Sequence, residues 1–339
     1  MMSSRSRHQA GLSLIELMIA LLLGLLLMGG VIQIFLSSRQ TYQTNTALSQ
    51  VQESGRFALE FIAFDLRNAG YKGECLSKLN DLTPTSLTKD DRYILGSGIL
   101  GWDENSATGT RPTWLTDIYA DRTSNTDVIL LKHAANPVVK ALPDNATATN
   151  GSFTTGSTDS GARQGNLVIV ADPVSCDFFI NQNNDGTAVS LANGLDFSRA
   201  YNHKAQVLNY QSALYYLKND TTTGVPSLWR TRYTSNAGAT PVEIAEELVS
   251  GIQDLQFQYA LGNANGQITG NYLNANDASL TNNWQSVVSV RINLLAVSRQ
   301  TNAISPNQTV RFMDSDETIA NGRLAQVFTL TVGIRNHLP

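Results

Sequence analysis

A long apolar stretch near the N-terminus constrains the fold of this chain more than any other feature. Residues 12–36 read LSLIELMIALLLGLLLMGGVIQIFL, and no charged residue lies between Glu16 and Arg39. As a helix, residues 17–36 would be about 30 Å long, which is the thickness of the hydrocarbon core of a bilayer. Arg5 and Arg7 precede the stretch. The positive-inside rule therefore predicts a cytoplasmic N-terminus and a single membrane span.

Glu16 helps to decide what kind of segment this stretch is. A secretory signal peptide has a shorter apolar region followed by a small-residue cleavage site, and this sequence has neither. Ser6 separates the two arginines, which argues against twin-arginine export. A simple membrane anchor remains an alternative, but a carboxylate at the fifth position of an apolar segment is costly unless it is paired or near the interface. We therefore interpret Glu16 as a functional residue.

The residues around Glu16 resemble the leader junction of type IV prepilins. Residues 10–16 read AGLSLIE, with the glycine, the apolar residue and the glutamate of that junction. The resemblance implies that prepilin peptidase cleaves between Gly11 and Leu12 and that the new Leu12 amine is methylated. In a filament of packed apolar helices, Glu16 of one subunit would pair with the N-terminal amine of its neighbour. Removing one partner of such a buried pair would cost roughly 3–5 kcal/mol.

The helix is expected to continue beyond the apolar stretch as far as residue 69. Apolar or small residues recur at spacings of three and four, which predicts one packed helix face; they are Leu48, Val51, Gly55, Ala58, Ile62, Leu66 and Ala69. Phe57, Phe61 and Phe64 are predicted to widen this face. No proline precedes Pro84, and Asn68-Ala69-Gly70 is a typical helix end.

Beyond residue 70, short apolar runs alternate with polar, glycine-rich clusters, which predicts strands and turns. The predicted fold class is therefore α+β and type IV pilin-like, with a long N-terminal helix carrying a large antiparallel β-rich head. Residues 245–252 are expected to form a short helix or turn, and residues 144–165 and 262–283 to form loops. The predicted strands are 127–132, 166–171, 177–181, 207–217, 228–233, 255–261, 287–297 and 325–335.

The expected organisation has four parts. They are a cleaved leader (1–11), a transmembrane and filament-core helix (12–36), an amphipathic continuation of that helix (37–70) and a head (71–339).

Several segments resemble the PilW family of minor pilins. They are residues 57–61 (FALEF), 65–71 (DLRNAGY), 248–259 (LVSGIQDLQFQY), 287–298 and 329–336. The resemblance implies a low-abundance subunit that helps to initiate type IV pilus assembly, at or near the tip, and supports motility and adhesion. Implied partners are other minor pilins, the major pilin, prepilin peptidase and the inner-membrane assembly machinery. The implied location is the inner membrane, with the head in the periplasm, and then the pilus at the cell surface.

The sequence leaves two alternative functions open. Residues 248–259 also resemble the J-type minor pseudopilins of type II secretion systems, whose filament would serve secretion. A membrane-anchored periplasmic binding module is the other alternative. Trp102, Trp114 and Trp229 would offer a binding patch if they were exposed, although such residues more often fill a β core.

The two cysteines, Cys75 and Cys176, do not lie in a CxxC motif. In an oxidising compartment we expect them to form one disulfide, which would stabilise the fold by roughly 4–5 kcal/mol. Two buried thiols are the alternative.

Motifs for catalysis or ligand binding are weak. Residues 96–101 (GSGILG) match GxGxxG, but no helix-like sequence follows them. Asn181, Asn183 and Asp185 resemble the first half of a calcium-binding EF-hand loop, yet Ala192 stands where the bidentate acid belongs. The four histidines show no metal-ligand spacing, so we expect neither an enzyme nor a cofactor. A net charge of −4 without a basic stripe argues against a nucleic-acid partner.

Overall fold

The computed structural model describes residues 13–84, 87, 90–103, 111–140, 151–156, 159–220, 224–236 and 240–337, with the backbone alone for 136–140. It has the predicted fold class, a long N-terminal helix that carries a head of antiparallel sheets. Helix α1 (Leu14–Asn68) has 55 residues, which is about 80 Å at 1.5 Å per residue. The predicted helix is confirmed over its described part.

The two parts of α1 have different surroundings. The N-terminal part has a mean hydropathy of 2.6 over 18 residues, none of which is buried, and it is long and apolar enough to cross a membrane. The C-terminal part is buried along one face, at Ala47, Val51, Gly55, Ala58, Ile62, Ala63, Asp65 and Leu66. The helix ends at Ala69, and Gly70 follows with a φ of +77°, which a glycine adopts without steric cost.

In the described residues, the head consists of strands, short 3-10 helices and one further α-helix, α2 (Thr116–Asp121). In chain order, its strands are β1 (Asn80–Asp81), β2 (Ile99–Trp102), β3 (Val128–Lys140), β4 (Ser152–Thr154), β5 (Leu167–Ala171), β6 (Cys176–Ile180), β7 (Ala188–Ser190), β8 (Gln206–Asn219), β9 (Pro226–Ser235), β10 (Pro241–Ser250), β11 (Ile252–Gly262), β12 (Ile268–Leu273), β13 (Val287–Val297), β14 (Thr309–Phe312), β15 (Ser315–Thr318) and β16 (Ala325–Gly333).

A four-stranded antiparallel sheet of order β12-β11-β13-β16 packs against α1. Its central strand β13 is buried over nearly all of its length because both of its faces are covered. Ile292 and Leu294 face the core beside α1, whereas Leu295 and Val297 lie in a smaller cluster with Phe312 of the β14–β15 hairpin. A predominantly apolar run such as VVSVRINLLAV is the expected pattern for a strand in this position.

An eight-stranded sheet forms the other side of the head. Its main order is β1-β6-β5-β8-β3-β2, and β9 pairs with the far end of β8 and with β10. All of its pairs are antiparallel except β1 with β6. Alternate residues of β5 lie in two different cores, Ile169 in one and Val168 and Val170 in the other. This sheet is therefore covered on both faces at its centre.

One apolar core joins α1 to both sheets. It contains Val51, Ala58 and Ile62 of the helix, Ile292 of β13 and Leu131 of β3. Gly55 allows the helix to approach β16 closely, since a Cβ there would lie 2.3 Å from Phe328 Cε2. At the far end of α1, Asn336 Nδ2 donates to the carbonyl oxygens of Asn68 (3.3 Å) and Ala69 (3.1 Å).

Several predictions about the head were wrong. Residues 245–252 do not form a helix or turn, since β10 and the start of β11 occupy this segment. The predicted loop 262–283 contains β12, and the predicted loop 144–165 contains β4, with residues 144–150 outside the described residues. Each of the eight predicted strands overlaps an observed strand, and β13 matches residue for residue.

Candidate assembly site along the N-terminal helix

The predicted processing junction lies at the edge of what the structure describes. Gly11 and Leu12 are outside the described residues. Ser13 precedes α1 in an extended conformation (φ −67°, ψ 141°), and the Glu16 amide donates to its carbonyl at 3.0 Å. The Glu16 carboxylate therefore lies in the first turn, where the helix dipole favours a negative charge by roughly 0.3–1 kcal/mol.

The segment that follows Glu16 exposes its apolar side chains on every side. Large apolar residues from Leu14 to Leu36 are 52–77% exposed. No ion pair of Glu16 is found within the described residues. An apolar surface of this size needs a bilayer or other apolar helices around it.

The head first touches α1 about two turns before the buried face begins. Gln40 Nε2 and Thr44 Oγ1 both donate to the carbonyl of Ala303, at 3.0 and 2.8 Å. Residues 14–39 therefore project beyond the head, and the remainder of α1 is held by it.

A buried carboxylate links α1 to the eight-stranded sheet. Asp65 is 2% exposed, and its Oδ2 accepts hydrogen bonds from Tyr215 Oη (2.7 Å) and Gln211 Nε2 (2.9 Å). His133 Nε2 lies 3.3 Å from Oδ1, and its Nδ1 lies 2.9 Å from the Ala134 carbonyl. Burial, and then the charge of Asp65, raises the pKa of Tyr215, so its hydroxyl remains a donor.

Sequence reasoning missed the role of Asp65, although a signal for it was present. Asp65 lies seven residues after Ala58 and fourteen after Val51, so it falls on the packed face of the helix. A carboxylate on an apolar face has to be paired or hydrogen-bonded in the folded chain. The donors come from β3 and β8, which no local pattern could associate with the helix.

Phe57, Phe61 and Phe64 do not widen the packed face, which corrects the prediction made above. They are 39%, 40% and 58% exposed, and Leu48 is also exposed at 36%. The row of phenylalanines lies roughly 90° around the helix from Ala58 and roughly 170° from Leu66.

The two cysteines are joined in a disulfide. Cys75, in the segment that follows α1, is bonded to Cys176 of β6, with a Cα–Cα distance of 5.8 Å. Both residues are buried. The bond fixes the chain that leaves the helix to the eight-stranded sheet.

The predicted calcium loop has the geometry of consecutive Asx turns. Asn181 Oδ1 accepts from the amides of Asn183 and Ser190, both at 3.0 Å. Asn183 Oδ1 accepts from the Asp185 amide (2.8 Å), and Asp185 Oδ1 from the Thr187 amide (3.0 Å). These oxygens already accept hydrogen bonds from backbone amides, as Asn and Asp side chains commonly do in turns. The calcium site stays a prediction.

Other sequence signals have structural explanations. Gly96 and Gly98 have positive φ angles in a turn that leads into strand β2, so residues 96–101 lack the helix that a dinucleotide site requires. Trp102 is 8% exposed and packs edge to face with Trp114 at 5.6 Å. Within the described residues, no group of three His, Cys, Asp or Glu side chains could hold a metal ion.

Two comparisons with known families match the chain. Residues 6–32 match the family described as "Prokaryotic N-terminal methylation motif", and residues 214–336 match "Type IV Pilus-assembly protein W" (PilW). No curated protein and no solved structure matches. The methylation motif and the projecting apolar helix indicate membrane anchoring and a relation to the type IV pilin class.

Within that class, residues 214–336 are similar to the PilW family of minor pilins. The PilW match covers about a third of the chain and includes the whole four-stranded sheet. The two matches point to a structural protein, and neither is to a known enzyme family.

Proposed function

We propose that this protein is a minor pilin that helps to initiate type IV pilus assembly at or near the pilus tip, and so supports pilus-dependent motility and adhesion. The observation that carries the proposal is the projecting apolar part of α1 with Glu16 in its first turn. A bilayer surrounds this segment before assembly, and the helices of other pilins surround it afterwards.

Processing by prepilin peptidase between Gly11 and Leu12 removes residues 1–11, and methylation then modifies the Leu12 amine. The matched methylation motif supports this step. Arg5 and Arg7 keep the leader in the cytoplasm before cleavage, and the head lies in the periplasm. Residues 12–36 are the filament-core helix, 37–70 its amphipathic continuation and 71–339 the head.

Glu16 sets the axial position of the subunit in the filament. Its carboxylate pairs with the N-terminal amine of an adjacent subunit, which neutralises two charges that would otherwise be desolvated among apolar helices. Leaving either charge unpaired would cost roughly 3–5 kcal/mol, so incorrect registers are disfavoured. The partners are other minor pilins and the major pilin, delivered by the inner-membrane assembly machinery.

The test is the variant Glu16→Ala in cells that have an active prepilin peptidase. We expect normal amounts of membrane protein and an N-terminal peptide whose mass begins at methylated Leu12, but at least a tenfold loss of surface pili. Gln33→Ala is the matched control, because it removes an uncharged polar group from the same apolar stretch. This control should assemble pili normally.

Normal piliation in the Glu16→Ala strain would overturn the assembly role. An intact leader on the wild-type protein would instead indicate a simple membrane anchor. Normal pili together with lost protein secretion would assign the chain to a type II secretion filament.

A further inference from the structure

A polar cleft lies on the face of the four-stranded sheet that points away from α1. On β11, Leu255 and Phe257 face the core beside α1, whereas Gln256, between them, faces the cleft. Leu295 and Val297 of β13 lie on the same side as Gln256. The cleft has a volume of about 800 Å³, within the range of roughly 300–1,000 Å³ that is usual for ligand sites. Because α1 covers the other face of the sheet, a ligand reaches the cleft without displacing the helix.

A β-bulge increases the number of polar side chains that reach the cleft. The register of β11 against β13 shifts between Ile252 and Asp254, which makes Gln253 an extra residue on β11. Ile252 and Leu255 both lie in the core beside α1. The two residues between them, Gln253 and Asp254, both line the cleft. A regular strand would have turned one of these two side chains toward the core.

The cleft offers side-chain amides that present both donors and acceptors. The amide residues that line it are Asn125, Asn219, Gln253, Gln256, Asn274 and Asn321. Gln256 Nε2 donates to the Asn125 carbonyl (2.8 Å) and to Asp254 Oδ1 (2.9 Å), which fixes the amide and leaves its Oε1 as an acceptor. Thr123 Oγ1 donates to Asn219 Oδ1 at 3.2 Å, which leaves Nδ2 of Asn219 as a donor. A hydroxyl group, which both donates and accepts, is complementary to such amides.

We propose that this amide-rich cleft binds an uncharged oligosaccharide. The inference rests on the proposed function for its biological context, since it supplies a class of ligand for pilus-dependent adhesion. Hydroxyl groups around each sugar ring hydrogen-bond to the amides of the walls. The floor of the cleft is apolar, since it is formed by the buried residues Leu295, Val297 and Phe312. The C–H groups of a sugar ring pack against this floor.

The charged side chains of the cleft disfavour an acidic ligand. Among the described lining residues, the carboxylates of Asp254, Asp314 and Glu317 stand against the guanidinium of Arg323. An acidic sugar, such as a sialylated glycan, would therefore be repelled. In the described part of the chain, no group of three His, Cys, Asp or Glu side chains could hold a metal ion, so these carboxylates do not form a metal site. The ligand class that remains is a neutral saccharide.

The walls of the cleft are held in unusual backbone conformations. Five described residues other than glycine have a positive φ, and Asn125 (60°), Met313 (51°) and Asn321 (63°) of this set line the cleft. Asn tolerates this conformation, whereas Met is sterically disfavoured in it. Met313 packs against the apolar cluster that contains Phe312, and this contact holds the strained turn in place. Strained residues cluster at ligand sites, where the surrounding structure positions them in advance.

The first test measures binding of the purified full-length protein to an array of immobilised neutral oligosaccharides and their sialylated counterparts. The protein is kept in dodecylphosphocholine, because a detergent with a sugar head group would compete for the cleft. We expect at least one neutral glycan to bind at least tenfold more strongly than its sialylated counterpart. Absence of binding to every glycan, or a preference for the sialylated ones, would overturn the proposal.

A second test fills the cleft. Ala320 is an exposed lining residue at the start of the 3-10 helix Ala320–Gly322, so Ala320→Trp places an indole ring in the cleft. Ala278→Trp is the matched control, because Ala278 is exposed at the start of the 3-10 helix Ala278–Leu280 and does not line the cleft. We expect at least a tenfold loss of glycan binding for Ala320→Trp and wild-type binding for the control.

A third test removes two amides without adding bulk. Gln253→Ala/Asn274→Ala should weaken glycan binding at least fivefold. The control Asn271→Ala/Asn276→Ala removes two exposed amides that lie outside the cleft and should bind as wild type does. Thermal unfolding should stay close to wild type in both double variants. Wild-type binding by Ala320→Trp and Gln253→Ala/Asn274→Ala, or an equal loss in the controls, would contradict the proposed site.

The saccharide site and the assembly function fail separately. If Glu16→Ala abolishes pili but the wild-type protein binds no glycan, only the saccharide site fails. If the wild-type protein binds a neutral glycan through the cleft but Glu16→Ala assembles normal pili, the assembly function fails and the site stands.

Discussion

The two sheets of the head bury different kinds of side chain. Among the described residues, the only buried polar side chains on the four-stranded sheet are the uncharged Ser289 and Asn293. The eight-stranded sheet buries Lys132 and His133 on β3 and Asp177 on β6, and it also carries the disulfide. The four-stranded sheet thus depends on apolar packing against α1, whereas the eight-stranded sheet depends on specific polar partners.

The two sheets also differ in how far the PilW match covers them. The four-stranded sheet lies wholly within the PilW match, while β1 to β7 lie outside it. Apolar packing tolerates many sequences of suitable volume, but a buried charge requires particular donors or acceptors. We therefore expect changes in the eight-stranded sheet to produce the larger and more local losses of stability.

The largest expected effect comes from removing the disulfide. The double variant Cys75→Ala/Cys176→Ala should lower the free energy of unfolding by about 4 kcal/mol, because the bond closes a loop with a sequence separation of 101 residues. Amide hydrogen exchange should accelerate in β5 and β6 and stay slow in β11 and β13. Reductant should have no further effect on the variant. Equal acceleration in both sheets would show that they unfold as one unit.

A smaller loss of unfolding free energy is expected from changes at the contact between α1 and β8. Asp65→Ala leaves the Tyr215 hydroxyl and the Gln211 amide without their acceptor, at a cost of roughly 3 kcal/mol in unfolding free energy. Tyr215→Phe is the control that removes one donor only, at about 1 kcal/mol. Urea unfolding of the detergent-solubilised chain measures both. Equal losses for the two variants would mean that the Tyr215 hydroxyl alone accounts for the contribution of Asp65 to stability.

The third expected effect is a pH dependence of the free energy of unfolding that is caused by Lys132. Burial lowers the pKa of its ammonium to about 8, although the nearby Asp91 and Asp90 raise it, and Nζ donates to the Asp91 carbonyl at 2.9 Å. Between that value and the ordinary pKa of 10.5, the unfolded chain binds more protons than the folded chain. The stability contribution of Lys132 therefore rises with pH by about 2 kcal/mol between pH 8 and 10.

Comparison with Lys132→Met isolates this contribution, since buried tyrosines such as Tyr93 titrate in the opposite sense in both proteins. In denaturant unfolding at pH 8, 9 and 10, the free energy of unfolding of the wild type should rise relative to that of the variant. A constant difference between the two proteins would mean that Lys132 is not desolvated in solution.

Sequence patterns predicted best where apolar residues alone decide the structure. Strand β13 has only Ser289, Arg291 and Asn293 as polar interruptions, and its ends were predicted correctly. The projecting part of α1 was predicted equally well, because an uncharged apolar run of this length is typical of a membrane-spanning helix.

Patterns failed where tertiary contacts override local preference. Strand β10 reads PVEIAEELVS, whose Glu, Ala and Leu favour helices, but pairing with β9 holds it extended. Strand β12 is largely exposed and contains Gly270, so it lacks the alternation that identifies strands. The exposure of Phe57, Phe61 and Phe64 depends on which side of α1 the head covers, which periodicity alone does not reveal.

The attachment of the head to α1 also has a mechanical consequence. The Ala303 carbonyl holds the helix at Gln40 and Thr44, and Asn336 holds it at Asn68 and Ala69. These two points are about 28 residues, or roughly 42 Å, apart along the axis. Tension applied along the helix therefore acts on both hydrogen-bonded attachment points and on the apolar contacts between them at the same time. Contacts that share a force in shear resist it together, whereas a head attached at one end would peel away contact by contact.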